Sequence, residues 1–171
     1  MNILEIIKKR RSTRKFKKER IPKEKIEKLK EALIWAPSAG NLQARKFYFV
    51  FNEKIKKKLA QAALNQNFVA QAPLVVVGCA DLKKISWYGE RGRELYVICD
   101  VSVAIENLML QAVQEGLGSC WVGAFNEEKV SQILNLPENE KPIVILPVGF
   151  PAEFPSAPKR EAKENLIEEI K

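Results

Sequence analysis

The chain has 171 residues, 46% of them apolar and 29% charged, with 29 Lys and Arg against 21 Asp and Glu, a net charge of +8 and no histidine. That is enough chain for one domain with a true core, since about 150 residues hide roughly 70% of the surface of the unfolded chain. The lack of histidine excludes a Ser-His-Asp or Cys-His triad, and it argues against zinc or non-haem iron, for which imidazole is the commonest ligand.

Residues 2–9 read as a short helix capped by Asn2, followed by the dense basic stretch RRSTRKFKKER. Pro22 suits a first helical position, and Ile26, Leu29, Leu33 and Ala36 recur at helical spacing up to a stop near Pro37. Residues 37–41 (PSAGN) are turn chemistry, and 46–51 (KFYFVF) is aromatic and β-branched enough for a strand. Asn52 caps a predicted helix to about Leu64. The continuous apolar run inside 72–81 predicts a strand in a sheet covered on both faces. Residues 82–93 are polar, hold Gly89 and Gly92, and read as a loop or mobile segment.

Residues 95–115 carry the longest helical pattern, apolar nearly all round, and belong deep in a core or an interface, with Gly116 ending the helix. A short strand is expected over 119–125, a helix capped by Asn126 through Leu134, and a last core strand over 142–150. After Pro151, Pro155 and Pro158 comes a short amphipathic end with Leu166, Ile167 and Ile170. Strands and helices interleave without a linker or repeat, so the class is α+β or α/β in a single domain, 1–171. Cys79, Cys99 and Cys120 all sit in apolar surroundings and read as buried free thiols, which suits a reducing cytoplasm. No run is apolar for the roughly 18 residues of a membrane span, and no secretory signal is expected.

The first chemically pointed segment is Arg10-Arg11-Ser12-Thr13-Arg14. A guanidinium fork bonds two phosphate oxygens at once, so this cluster is either a phosphate site or a solvated basic turn. In an extended backbone Arg10, Ser12 and Arg14 point one way and Arg11 the other. Four more segments follow in order: APSAGNLQ (36–43), NQNFVAQAP (65–73), GLGSCWVG (116–123) and Pro158-Lys159-Arg160. Together with KKRRSTRKF they resemble the signature segments of the nitroreductase family over nearly the whole chain.

That resemblance implies a central mixed β-sheet flanked by helices in an intertwined homodimer, FMN bound at the subunit interface, and NADH or NADPH as transient reductant. It implies a ping-pong transfer of hydride to a small acceptor such as a nitroaromatic or quinone, with no acid–base residue assigned and no metal. By position, Arg10 holds the FMN phosphate, with Arg11 beside it, and Ser12 makes polar contacts to the flavin. Arg14 lies by the pyrimidine ring, where a cation would stabilise the charge left by reduction. Pro37, Ser38, Ala39 and Asn41 reach FMN bound mainly by the other subunit; Asn65 and Gln66 match a polar position at the pyrimidine edge. Val122 and Gly123 match backbone beside N5 and O4, and Lys159 and Arg160 close the phosphate end. The segment 151–171 is expected to reach the partner subunit.

Plainer readings stand beside these. Asn65 would serve equally as a helix C-cap, Gly123 as a strand bend, Trp121 as core, and Asp100 and Glu106 as structural partners; Trp87 and Tyr88 either line a substrate mouth or cover the core. The family often carries Pro-Trp or Pro-Phe after the glutamine of its second motif, where this chain has Ala44-Arg45. On the same fold, reductive dehalogenation or a flavin-destroying ligand synthesis is the alternative chemistry. From other classes come a flavin-binding protein without turnover and a basic nucleic-acid-binding protein. The charge permits the last, but its aromatics are not interleaved with the cations as a stacking platform needs.

Overall fold

A computed structural model describes residues 2–171. The chain opens with α1 (Ile3–Lys9), where Asn2 accepts from the Glu5 N–H at 3.0 Å and Glu5 accepts from the Asn2 N–H at 3.2 Å, a reciprocal capping box. Then come α2 (Lys23–Ile34), β1 (Arg45–Val50), α3 (Glu53–Ala62), α4 (Phe68–Gln71) and β2 (Leu74–Asp81). After α5 (Gly89–Arg91) the chain runs into the long α6 (Val97–Gln114), then β3 (Gly118–Ser119), α7 (Glu127–Leu134) and β4 (Glu140–Gly149). Asn52 and Asn126 cap α3 and α7 as their positions predict, each accepting from backbone N–H groups of the first turn.

The sheet has the order β1-β2-β4-β3, and all three ladders are antiparallel. The expected central sheet flanked by helices is present. Its parallel component is confined, among the described residues, to one isolated bridge between Ser12 and Ser119. Strand alternation sends Leu74, Val76, Val144, Leu146 and Val148 into a core shared with α2 and α6, and Val75, Val77, Cys79 and Ile145 into a second core under α3, α4 and α7. The unbroken apolar run of β2 thus follows from coverage of both faces, not from parallel pairing.

Three expectations change. Residues 82–93 are not a loop: a 3₁₀ turn (Lys84–Tyr88), α5 and a π turn (Gly92–Tyr96) lead without interruption into α6, giving a helical run of 31 residues. Gly89 and Gly92 misled, because Gly92 is used for close packing: a Cβ there would lie 2.6 Å from the Tyr88 Cβ. That run is apolar and long enough to cross a membrane by composition, yet Val101, Ala104, Ile105 and Leu108 are wholly buried in the core. The strand expected over 119–125 shrinks to Gly118–Ser119 plus a single bridge from Val122 to Ile145. Cys99 is exposed on α6, whereas Cys79 and Cys120 are buried as expected, and burial pushes the Cys79 thiol up to about 12.

At the far end of α6, Glu115 ties that helix to α2. Its carboxylate takes Lys28 Nζ at 3.0 Å and Lys25 Nζ at 3.3 Å, while the same Lys25 donates to the Glu115 carbonyl at 2.7 Å. Hydrogen bonding from Lys28, then from Lys25, holds this carboxyl below the usual range against the opposing effect of burial. A depressed carboxylate contributes stability that is present above its unfolded pKa, about 4.3, and is lost as pH falls through the folded value. Glu115→Gln is therefore expected to lower stability near pH 7 by about 0.2–1 kcal/mol, the lysine side of the pair being solvated, and to show it as a small drop in Tm. The gap between variant and parent should close below pH 4 in thermal melts.

Candidate functional site

Past α1 the basic stretch is stitched to the sheet's edge. Thr13 N–H donates to Ser119 O at 2.9 Å, Lys17 N–H to Phe150 O at 2.9 Å, and Phe16 bridges Pro151. The extended backbone alternates as expected. Thr13 turns inward, 3% exposed, against Gly118. On the other side, Arg14, Ser12 and Arg10 gather around the Cys120 thiol: burial raises its pKa, and these three oppose the rise. Arg11 goes its own way. Its guanidinium donates to Lys8 O at 2.6 Å and Arg10 O at 2.8 Å, satisfying the open carbonyls at the end of α1.

A second predicted group comes to the same place. Leu64 and Asn65, at φ 56° and 59°, are left-handed just beyond α3, where the Asn65 N–H reaches back to Gln61 O at 3.5 Å. The C-cap of α3 is Ala63, so Asn65 lies two residues beyond the position its plainer reading gave it. Gln66 Nε2 donates to Ala63 O at 3.0 Å and to Ala124 O at 3.4 Å, and Asn126 N–H donates to Ala62 O at 2.9 Å. The loop after α3 is therefore fastened to the segment 122–126. Val122 exchanges both backbone bonds with Ile145 at 3.0 Å, which fixes the backbone leading to Gly123. Arg14 closes the circle, its guanidinium carbon 5.9 Å from the centre of the Phe68 ring. Phe68 was not picked out in the sequence; its signal would have been an aromatic three residues after Asn65 at the mouth of a short helix.

The remaining predicted residues lie apart within one chain. Pro37, Ser38, Ala39 and Asn41 belong to a loop held by α6, with Ala39 N–H donating to Asp100 Oδ1 at 2.9 Å and Gln43 N–H to Ser38 Oγ at 3.0 Å. Gly40, Asn41 and Gln43 in this loop are all left-handed, so both candidate cofactor loops carry strained backbone of the kind that clusters at ligand sites. Lys159 and Arg160 stand exposed in the extended tail, and among the described residues neither makes a hydrogen bond or ion pair. Glu106 lies 4.0 Å from Arg10 Nε, and burial raises its carboxyl pKa while Arg10 opposes the rise. Trp121, expected in the core, is 37% exposed, because its strand ends before it. Tyr88, 38% exposed, lies against Gly40 of the 37–43 loop, whereas Trp87 projects into solvent.

Two grooves lie beside this cluster rather than over it. A groove of about 990 Å³ lies between residues 16–21 and the start of α3, and one of about 450 Å³ lies between Arg11, Thr13 and Phe154. Of the predicted site residues only Arg11 lines either. The arrangement around Arg10, Ser12, Arg14, Asn65, Gln66, Val122 and Gly123 is an open half-site: two guanidiniums, a hydroxyl, side-chain amides and accessible backbone. Such donors fit an anionic, planar, hydrogen-bonding ligand. At Gly123 the nearest atom to a Cβ position is Trp121 Nε1 at 3.4 Å, which leaves room over that backbone.

The chain is similar to known proteins. The profile described as Nitroreductase family matches residues 7–83 and 63–150. A protein of Methanothermobacter thermautotrophicus, whose name joins NADH dehydrogenase and NAD(P)H nitroreductase, is 32% identical over 161 residues, covering 91% of this chain and 80% of its own. An FMN reductase (NADPH) of Bacillus subtilis is 28% identical over 182 residues, covering 98% and 73%. The solved structure of an NADPH:FMN oxidoreductase from Vibrio harveyi, complexed with NAD+, superposes with a TM-score of 0.92 at 26% identity, over 100% of this chain and 78% of that one.

Proposed function

From a chain that belongs to the nitroreductase family, we propose an FMN-dependent NAD(P)H oxidoreductase that passes hydride equivalents to a small acceptor such as a nitroaromatic or quinone, by a ping-pong sequence. The observation that carries this reading is the convergence of Arg10, Ser12 and Arg14 with the 64–66 loop and the backbone at 122–123, three stretches far apart in sequence. FMN, when bound, supplies the two-electron carrier. Everything else is positioning and charge.

Arg10 holds the phosphate, and Ser12 adds a hydroxyl beside it. Arg14, spread over Phe68, keeps a cation at the pyrimidine end, where it offsets negative charge. Asn65 and Gln66 present amides to the ring edge. The Val122–Gly123 backbone lies along the reactive edge, kept clear by the missing side chain at 123. Arg11 is already used at the end of α1 and is not needed as a holder. Lys159 and Arg160, and the loop Pro37–Asn41, complete the site from a second copy.

What one chain leaves uncovered supports that assembly. Ile3, Leu4 and Ile7 of α1 and Ile98 and Val103 of α6 are exposed apolar residues on adjoining helices, and β1 offers a free strand edge. Tail residues Phe154, Leu166, Ile167 and Ile170 are likewise bare. A homodimer in which each tail, about 151–171, crosses its partner removes both faces from water. Three free thiols fit a reducing cytoplasm.

The test is the visible absorbance spectrum of the purified protein before and after anaerobic NADH or NADPH. Flavin bands that bleach establish the reading. A colourless protein that also takes up no added FMN overturns it.

A further inference from the structure

The loop that carries Pro37, Ser38, Ala39 and Asn41 is held by Arg45 and Asp100. Arg45 turns its guanidinium back into the loop. Its NH1 donates to Pro37 O at 2.8 Å and to Asp100 O at 3.0 Å, and its NH2 donates to Ala36 O at 2.5 Å. Asp100, 4% exposed on α6, accepts the Ala39 N–H at 2.9 Å through Oδ1. On the far side of the loop the Tyr88 ring packs on Gly40, whose Cβ position lies 3.3 Å from Tyr88 Cζ.

This device costs stability. Asp100 Oδ2 is buried with no hydrogen-bond partner, and burial lowers the pKa of Arg45 while the charge of Asp100 raises it. Replacing Arg45 alone by an apolar side chain would strand the carbonyls of Ala36, Pro37 and Asp100 that its guanidinium satisfies. The loop it holds is also strained, with Gly40, Asn41 and Gln43 left-handed. A costly clamp on a strained loop is what a positioning task requires.

Resting on the FMN reading above, we infer that Arg45 and Asp100 are positioning residues: they fix the loop 37–43 in the shape that meets the flavin of the partner subunit.

The experiment compares dimeric wild type with Asp100→Ala, Asp100→Asn, Arg45→Met and the double variant Asp100→Asn/Arg45→Met. Two readouts are taken: FMN Kd with the visible circular dichroism of the bound flavin, and hydrogen exchange of the Ala39 amide in FMN-free protein. Asp100→Ala is expected to weaken FMN about tenfold, to alter the dichroism and to speed Ala39 exchange, a loss on the scale of one charge-assisted bond. Asp100→Asn keeps an acceptor for Ala39 and should stay within about threefold of wild type, and the two sites should be non-additive. Faster Ala39 exchange with wild-type Kd and dichroism in every variant makes the clamp merely structural and overturns the inference alone. Wild type that binds no FMN overturns the parent reading and this one with it.

Discussion

Gly118→Ala is expected to disable both fold and site, lowering Tm by roughly 3–10 °C and FMN affinity by at least tenfold, because overpacking costs about 1–3 kcal/mol. A Cβ at 118 would stand 2.8 Å from Thr13 Cβ and 2.9 Å from Thr13 Cγ2. Thr13 has nowhere to go: it is 3% exposed and its own N–H is bonded to Ser119 O. The strain is therefore relieved only by moving the strand 10–14, and with it Arg10, Ser12 and Arg14. Gly123→Ala is the contrasting case. Its Cβ meets only Trp121, at an ordinary 3.4 Å, so Tm should hold while FMN binding weakens because the backbone at the reactive edge is now covered. Melts and FMN titrations on the two variants decide the matter. A Gly123→Ala protein that binds FMN like its parent removes that backbone from the site.

The same pair shows what could be read before any coordinates. The two glycines fall within one motif, GLGSCWVG, and the motif locates them without saying which packs and which clears space. That distinction depends on Thr13, 105 positions away in the chain and brought alongside by a single bridge. Local signals were reliable where the physics is local. Asn2, Asn52 and Asn126 cap the helices they precede, and the alternation of residues 10–14 separates Arg11 from its neighbours. They failed where tertiary packing overrides propensity, as at residues 82–93, where Tyr88 and Ile85 hold a glycine-punctuated segment helical. The clamp of Arg45 and Asp100 spans 55 residues, and no periodicity or spacing could have paired them. In the dimer proposed above, a second copy supplies the parts that one chain's half-site lacks, and a motif scan treats both sets as one list.

Arg10 and Arg14 separate binding from turnover. Arg10→Ala is expected to weaken FMN about 10–100-fold, the scale of losing charge-assisted bonds to a phosphate, with little change in Tm. The small stability effect follows from its one ion pair among the described residues, to Glu106, which is long at 4.0 Å and half exposed on the acidic side, so it contributes little. Arg14→Ala should keep FMN within a few-fold, since its contact with Phe68 is worth about 0.5–1 kcal/mol, yet slow reduction by NADH or NADPH in stopped flow. An unchanged reduction rate would remove Arg14 from that role. The sharpest sign comes from Glu106. If Arg10 must leave Glu106 to meet a phosphate, the carboxylate competes with the cofactor, and Glu106→Gln should tighten FMN binding. If Arg10 instead exists to hold α1 on α6, the same substitution leaves FMN affinity unchanged and lowers Tm. Because the two accounts predict different observables to move, one titration and one melt on a single variant distinguish a phosphate-holding arginine from a structural one.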